Sequence, residues 1–179
     1  MVGNIMRSAI VMAAILCAAC ASSRTLSGSV NDLGANAQLK SILFTDRSHD
    51  YADVDLTIFD GRLMMTGTMR TEEGHRKLVS NAQRASGVTQ VIDEILIADK
   101  TSFGQGLEDS RIDQTVRAKL LTADNVTSAN YKMSVSQGIV YLLGVASDET
   151  EFNRALNAAR STSGVKSVVS HVIYQSTPG

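Results

Sequence analysis

Two short stretches, "GRLMMTG" from Gly61 to Gly67 and "GIVYLLG" from Gly138 to Gly144, decide how this chain of 179 residues folds. Each is an apolar run bracketed by glycines, and the second begins 77 residues after the first. At the same offset "SGVTQVI" (Ser86–Ile92) meets "SGVKSVV" (Ser163–Val169). Laying Asp32–Ile97 on Asp109–Tyr174 needs no gap. Asp32, Leu43, Thr45, Ala52, Gly61, Gly67, Glu72, Ala82, Ser86, Gly87, Val88 and Val91 each fall on an identical residue. An ungapped register with glycine landmarks throughout is the mark of one small domain present twice in tandem.

Working outward from the glycine-bracketed run, each copy predicts helix, strand, strand, helix, strand. The run itself is continuously apolar, so its strand is central or covered on both sides. Asp60-Gly61 and Gln137-Gly138 precede it as hairpin turns. The strand before each turn alternates: Val54, Leu56 and Ile58 against Asp53, Asp55 and Thr57, and likewise Tyr131, Met133 and Val135 in copy two. A period of two gives one buried face and one wet face. The opening helix covers Asp32 to Phe44, with Leu39, Ile42 and Leu43 on one stripe; in copy two it covers Arg111 to Leu121, with Ile112, Val116 and Leu120 four apart. A second helix follows each hairpin. Thr71 and Asp148 are its N-caps, Glu72 and Glu149 sit in its first turn, and Gly87 and Gly164 end it at C′. Leu78, Val79 and Ala82 form its apolar stripe in copy one; Phe152, Ala155, Leu156 and Ala159 form it in copy two. The last strands are Val91–Ile97 and Val168–Tyr174. The expected fold is α+β: two domains, each a three-stranded mixed sheet with two helices on one face and the other face partly open. Gly61, Gly67, Gly87, Gly138, Gly144 and Gly164 are the expected structural glycines.

The organisation along the chain follows: residues 1–19 as a signal peptide, 20–31 as a Ser- and Gly-bearing flexible tether, 32–99 as domain one, 100–108 as a linker, 109–175 as domain two and 176–179 as a tail. The start, "MVGNIMRSAIVMAAILCAAC", holds one basic residue, Arg7, and an apolar run from Ala9 to Ala19, too short to span a bilayer and suited to secretion. Ala18 and Ala19 before Cys20 resemble the lipobox of bacterial lipoproteins, in which that cysteine is acylated and becomes the first mature residue. Cys17 stands where Leu is usual, with Leu16 one step earlier. Plain signal cleavage is the competing reading. Redox or metal use of Cys17 and Cys20 would need a folded thiol environment or more ligands nearby. Beyond Cys20 no cysteine follows, so the 160 remaining residues rely on a core and not on disulfides.

The residues offer no catalytic constellation. There is no phosphate-cradling glycine loop, because "GQG" at Gly104–Gly106 lacks a following GK. His49, His75 and His171 are dispersed: one in a loop, one on an exposed helix face, one on a strand. Asp53, Asp55 and Asp60 lack the spacing of a calcium loop, and an acidic wet strand face accounts for them. Neither a metal nor a cofactor is expected, nor a small-molecule substrate. A pI near 6.3, four Phe, four Tyr and no Trp disfavour nucleic acid. Charge separates the copies. Ala21–Glu108 carries 9 basic and 12 acidic residues, whereas Asp109–Gly179 carries 7 and 6.

The repeated "GRLMMTG…SGVTQVIDEI" and "GIVYLLG…SGVKSVVSHV" resemble the BON domain, over about 130 of the 160 residues from Cys20 onward. Copy two is the closer match, through "VRAKLLTAD" and "SGVKSV". A lipobox-like start followed by two such domains is similar to the dual-BON lipoproteins of the bacterial outer membrane. That resemblance implies a non-catalytic protein, lipid-anchored through Cys20 and facing the periplasm, that binds anionic phospholipid (phosphatidylglycerol or cardiolipin) and supports outer-membrane integrity. It also implies that the first helix of domain two meets the lipid. The residues expected there are Arg111, Ile112, Thr115, Arg117 and Lys119, with Lys166 beyond the second helix. Relatives carry an aromatic near the start of that helix, where this chain has Arg111, so cations and not aromatic insertion are expected to make the contact. The alternative is a protein-docking scaffold for an envelope assembly or secretion complex.

Overall fold

Asp60 and Gly61 both adopt positive φ, 51° and 75°, and Gln137 and Gly138 repeat this at 56° and 78°. Two successive residues in the left-handed region make a type I′ turn, whose twist suits the strands it joins. These turns fix two antiparallel hairpins: β1 (Val54–Phe59) with β2 (Arg62–Met69), and β4 (Tyr131–Ser136) with β5 (Ile139–Ala146). β3 (Gln90–Ile97) then pairs parallel with β2, and β6 (Ser167–Tyr174) parallel with β5. Each domain thus has one mixed three-stranded sheet, ordered β1-β2-β3 and β4-β5-β6, with the glycine-bracketed run central. The computed structural model describes residues 34, 37–41, 49–99 and 101–175. Cys17, Cys20, the tether, Ile42 and Leu43 lie outside these residues.

Helix α1, described over residues 37–41, brings Leu39 fully into the first core. The other helices are α2 (Glu72–Arg84), α3 (Phe103–Thr122) and α4 (Glu149–Arg160). The predicted caps hold: the Thr71 hydroxyl accepts from Gly74 N, and the Asp148 carboxylate accepts from Glu151 N. Two expectations change. Gly87 and Gly164 do not sit at C′. The helices cap at Ala85 and Ser161, and the glycines occupy the next turn, closed by Val88 N to Ala85 O and Val165 N to Thr162 O. The stretch read as a linker is helical from Phe103 onward, because Ser102 caps it by accepting from Gln105 N.

Strand alternation divides the apolar residues between three cores. Leu63, Met65 and Met69 of β2 face α2, joining Leu56, Ile58, Leu78 and Ala82. Val140, Leu142 and Ala146 of β5 face α3 and α4, joining Ile112, Val116, Leu120, Ala155 and Ala159. The intervening residues point the other way, and there the expectation of a partly open face fails. Phe59, Met64 and Ile92 of domain one pack against Tyr141 and Leu143 of domain two, all buried. The two sheets close each other's open faces. The contact is nearly symmetric. Met64 and Tyr141 are the same position in the two copies, and so are Glu94 and His171, which bond at 2.8 Å. Glu94 and His171 thus meet as equivalent positions do in a self-complementary interface. Buried hydroxyls of Thr66 and Ser134 lie 2.8 Å apart across this contact. Arg62 donates to Gly144 O (3.3 Å) and His171 O (2.7 Å), and partial burial pulls its pKa below the ordinary value.

Glycine is required where β2 and β5 pass under the preceding strand. A Cβ at Gly67 (φ +114°) would fall on Asp53 O, and one at Gly144 on Asn130 O. Neither neighbour can move, since both are backbone. Gly67→Ala and Gly144→Ala are each predicted to cost about 3 kcal/mol or more in chemical denaturation, as expected of a clash with no room to relax. Gly104→Ala, in open space on α3, should be neutral or stabilising by up to about 1 kcal/mol.

Glu151 is 4% exposed, and its two oxygens accept from Thr127 N and Ser147 N, both at 2.8 Å. Burial alone would raise its pKa, but the donors at Ser147 and Thr127 prevail and hold it below the usual carboxylate range. A lowered folded pKa stabilises above the unfolded value near 4.5 and loses that contribution as pH falls through the folded value. Glu151→Gln is therefore predicted to lower the melting temperature at neutral pH and to flatten the acid side of the stability curve below about pH 5, measured by calorimetry across pH.

Candidate functional site

The helix singled out in domain two, α3, is 20 residues long and so spans about 30 Å. Its inner face is Asp109, Ile112, Val116 and Leu120. Asp109 fastens it to the β4–β5 turn: its carboxylate accepts from Gln137 N at 2.9 Å, Gly138 N at 2.8 Å and Gln105 Nε2 at 2.8 Å. The outer face carries three large apolar side chains, with exposed Ser110 and Gln114 between them. Phe103 is 83% exposed, Leu107 58% and Leu121 73%. Phe103 and Leu121 are separated by about five full turns and share a meridian, with Leu107 roughly 40° away. α3 therefore has an apolar inner face and, on its outer face, three large apolar side chains in solvent at its two ends.

This outer face was missed in the sequence because the helix was expected to start at Arg111. An aromatic does stand near the start of the helix, at Phe103, eight residues earlier. The detectable signal was Ser102 as an N-cap, followed by Phe103 and Leu107 at i, i+4 spacing. Gly104 and Gly106 masked it by suggesting a linker.

The expected lipid-contact residues are distributed differently from what their spacing suggested. Ile112 is fully buried in the domain-two core and presents no surface. Thr115 donates its hydroxyl to Arg111 O within the same helix. Arg111 pairs with Glu108 at 2.6 Å and donates to Ser163 O. The same pairing raises the Arg111 pKa and lowers that of Glu108. Arg117 pairs with Asp113 at 2.7 Å and reaches Met133 O. Lys119 donates to Ser161 O, and Lys166 to Gln137 O, both at 2.8 Å. The two arginines thus bring an acid partner each and add little local net charge. The two lysines keep theirs. The cations reach toward separate segments: Arg111 and Lys119 toward the turn after α4, Arg117 toward β4, Lys166 toward the hairpin.

His75 is half-buried, not on an exposed face, and bonds Asp93 at 2.7 Å; His171 bonds Glu94. Each of these histidines ties structural elements together. Among the described residues, no group of three or more His, Cys, Asp or Glu is placed to hold a metal ion. Among them, too, no helix is long and apolar enough to cross a membrane.

Three relatives are similar over most of this chain. A protein of Anaplasma centrale is 28% identical over 123 residues, covering 68% of this chain and 82% of its own length. The outer membrane lipoprotein DolP of Haemophilus influenzae is 28% identical over 116 residues, covering 65% of this chain and 60% of DolP. Osmotically-inducible protein Y of Escherichia coli is 26% identical over 141 residues, covering 78% and 70%. The family model described as the BON domain matches residues 31–99 and again 108–176. With both repeats matched, and with the repeated α+β architecture seen above, the chain belongs to the BON-domain family.

Proposed function

We propose that this protein is a non-catalytic lipoprotein of the cell envelope, anchored through acylated Cys20 to the outer membrane and facing the periplasm, whose helix α3 binds anionic phospholipid and so supports membrane integrity. The observation that carries the reading is the outer face of α3, with Phe103, Leu107 and Leu121 in solvent. Fully burying a large apolar side chain contributes about 1.5–3 kcal/mol, so three partly inserted at the acyl boundary supply several kcal/mol. Lys119 and Lys166 point elsewhere, toward Ser161 and Gln137, and any cation that does reach a lipid phosphate adds about 1 kcal/mol. An anchor at Cys20 would hold the domain pair at the membrane, so that weak contact suffices. Support also comes from the resemblance to DolP, described as an outer membrane lipoprotein.

The geometry shifts weight from charge to insertion. Arg111 and Arg117 are each neutralised by a carboxylate three or four residues away, and exposed pairs of this kind contribute little. A docking scaffold for an envelope protein would use the same three side chains, and its partner would remain bound when lipid is replaced by detergent.

In co-sedimentation with phosphatidylglycerol vesicles, Phe103→Ser combined with Leu107→Ser is predicted to weaken binding at least roughly tenfold, about 1.4 kcal/mol or more. Arg117→Gln should change it much less. Loss of binding on reversing the charge of Lys119 and Lys166, with the Phe103 and Leu107 variant unaffected, would return the weight to electrostatics. No co-sedimentation of the unmodified protein at low salt would refute the lipid reading.

A further inference from the structure

Phe103, Leu107, Ser110, Gln114, Ala118 and Leu121 follow one another at steps of three or four residues, so they form one stripe along the outer side of α3. All of them are exposed, and none is charged. The stripe runs about 27 Å from Phe103 to Leu121. Arg111 and Arg117 border it, one on each side. Both are held by two hydrogen bonds to a carboxylate of the same helix. Arg111 Nε and Nη2 donate to Glu108 at 3.0 and 2.6 Å, and Arg117 Nε and Nη2 donate to Asp113 at 2.7 and 3.0 Å. An anionic surface therefore meets a stripe with no uncompensated cation on it or bordering it.

The apolar groups at the start of the stripe stand clear of the helix. Gly104 and Gly106 flank Phe103 and Leu107, and a Cβ at either glycine would meet nothing within 4 Å. The phenyl ring and the isobutyl group project from a surface without neighbouring side-chain bulk.

The distribution of bulk along the stripe indicates what can cover it. A partner helix is about 10–12 Å across and, at a crossing, packs on the middle of its neighbour. The middle of this stripe is Ser110, Gln114 and Ala118, with no large apolar side chain to bury. The bulk lies at both ends. A bilayer interface is a continuous plane, so it reaches both ends at once and leaves the polar centre at headgroup level. Ser110 suits that level, because its hydroxyl already donates to Gly106 O at 2.9 Å.

Insertion without charge attraction governs which bilayer is bound. A cationic helix is drawn to any anionic surface. Bulky side chains without that attraction must find or open gaps between headgroups, and their binding then follows curvature and lipid composition. We infer that α3 selects highly curved, loosely packed bilayer by seating Phe103, Leu107 and Leu121 in gaps between headgroups. Lipid packing, more than the amount of anionic lipid, decides where it binds. This rests on the membrane reading proposed above and adds to it the property of the bilayer that the helix distinguishes.

The test uses the chain from Cys20 onward, without an acyl group, floated with vesicles of phosphatidylglycerol in phosphatidylcholine. One composition is prepared as small sonicated vesicles and as large extruded ones, so lipid charge is equal and curvature differs. Binding to the small vesicles is expected to be roughly tenfold stronger, and to change less than about threefold when salt is raised from low to physiological. Leu121→Ser should reduce that preference several-fold. Ser110→Lys with Gln114→Lys, both at exposed positions, puts two free cations on the stripe. Binding to the large vesicles should then rise and become salt-dependent, which brings the ratio toward one. Equal binding of the unsubstituted chain to small and large vesicles would overturn the inference and leave the membrane reading standing. So would a small-vesicle preference that salt abolishes. An unchanged ratio in the folded double-lysine variant would also overturn it, by placing the contact elsewhere. No binding to any vesicle would remove both readings.

Discussion

The packing of the two sheets on each other is the constraint from which the rest of the structure follows. A three-stranded sheet with helices on one face leaves its other face bare, and a domain of about 70 residues buries too little surface to tolerate that easily. Duplication solves the problem. Met64, Ile92 and Phe59 from one copy meet Tyr141 and Leu143 from the other, and Glu94 bonds its counterpart His171 across the contact. Because the copies meet through their sheets, their helices are left on the outside. α3 is consequently presented outward, fastened from beneath by Asp109 to the β4–β5 turn, with Phe103, Leu107 and Leu121 free of any partner core.

The same packing explains why the two copies have diverged where they have. Positions facing the helices are apolar in both. Positions facing the other sheet need only complement what they meet there: Met64 and Tyr141 in the shared core, Glu94 bonded to His171, Thr66 bonded to Ser134. At the margin the complementarity is incomplete. Phe59 is buried in the shared core, whereas its counterpart Ser136 borders a cleft. A large apolar side chain replaced by a small hydroxyl leaves space, and the space is lined with acid.

Much of this was legible in the residues. The hairpins were, because Asp60-Gly61 and Gln137-Gly138 carry the turn chemistry that the backbone angles then display. So were the inner helix faces and the N-caps at Thr71 and Asp148, which are local signals. What covers the second sheet face was not. Its strands alternate with Asp, Thr and Ser, which a single sequence presents as a wet surface, and only the tertiary pairing of Thr66 with Ser134 shows those hydroxyls to be buried partners. The start of α3 was also hidden. Two glycines in its first turn argue against a helix on propensity, while Ser102 and the docking of Asp109 outweigh them. Among the expected site residues, spacing placed Ile112 and Arg111 side by side but could not tell which side faces the core. Ile112 is fully buried and Arg111 is exposed.

If the shared core governs the molecule, the two domains should behave as one cooperative unit. Native-state hydrogen exchange on the amides of β2 and β5 tests this most directly. Both central strands are predicted to open with the same free energy, and Leu143→Ala, which removes a fully buried side chain from the shared core, should lower protection in β2 as well as in β5. Separate opening free energies for the two strands, with Leu143→Ala felt in β5 alone, would contradict the account.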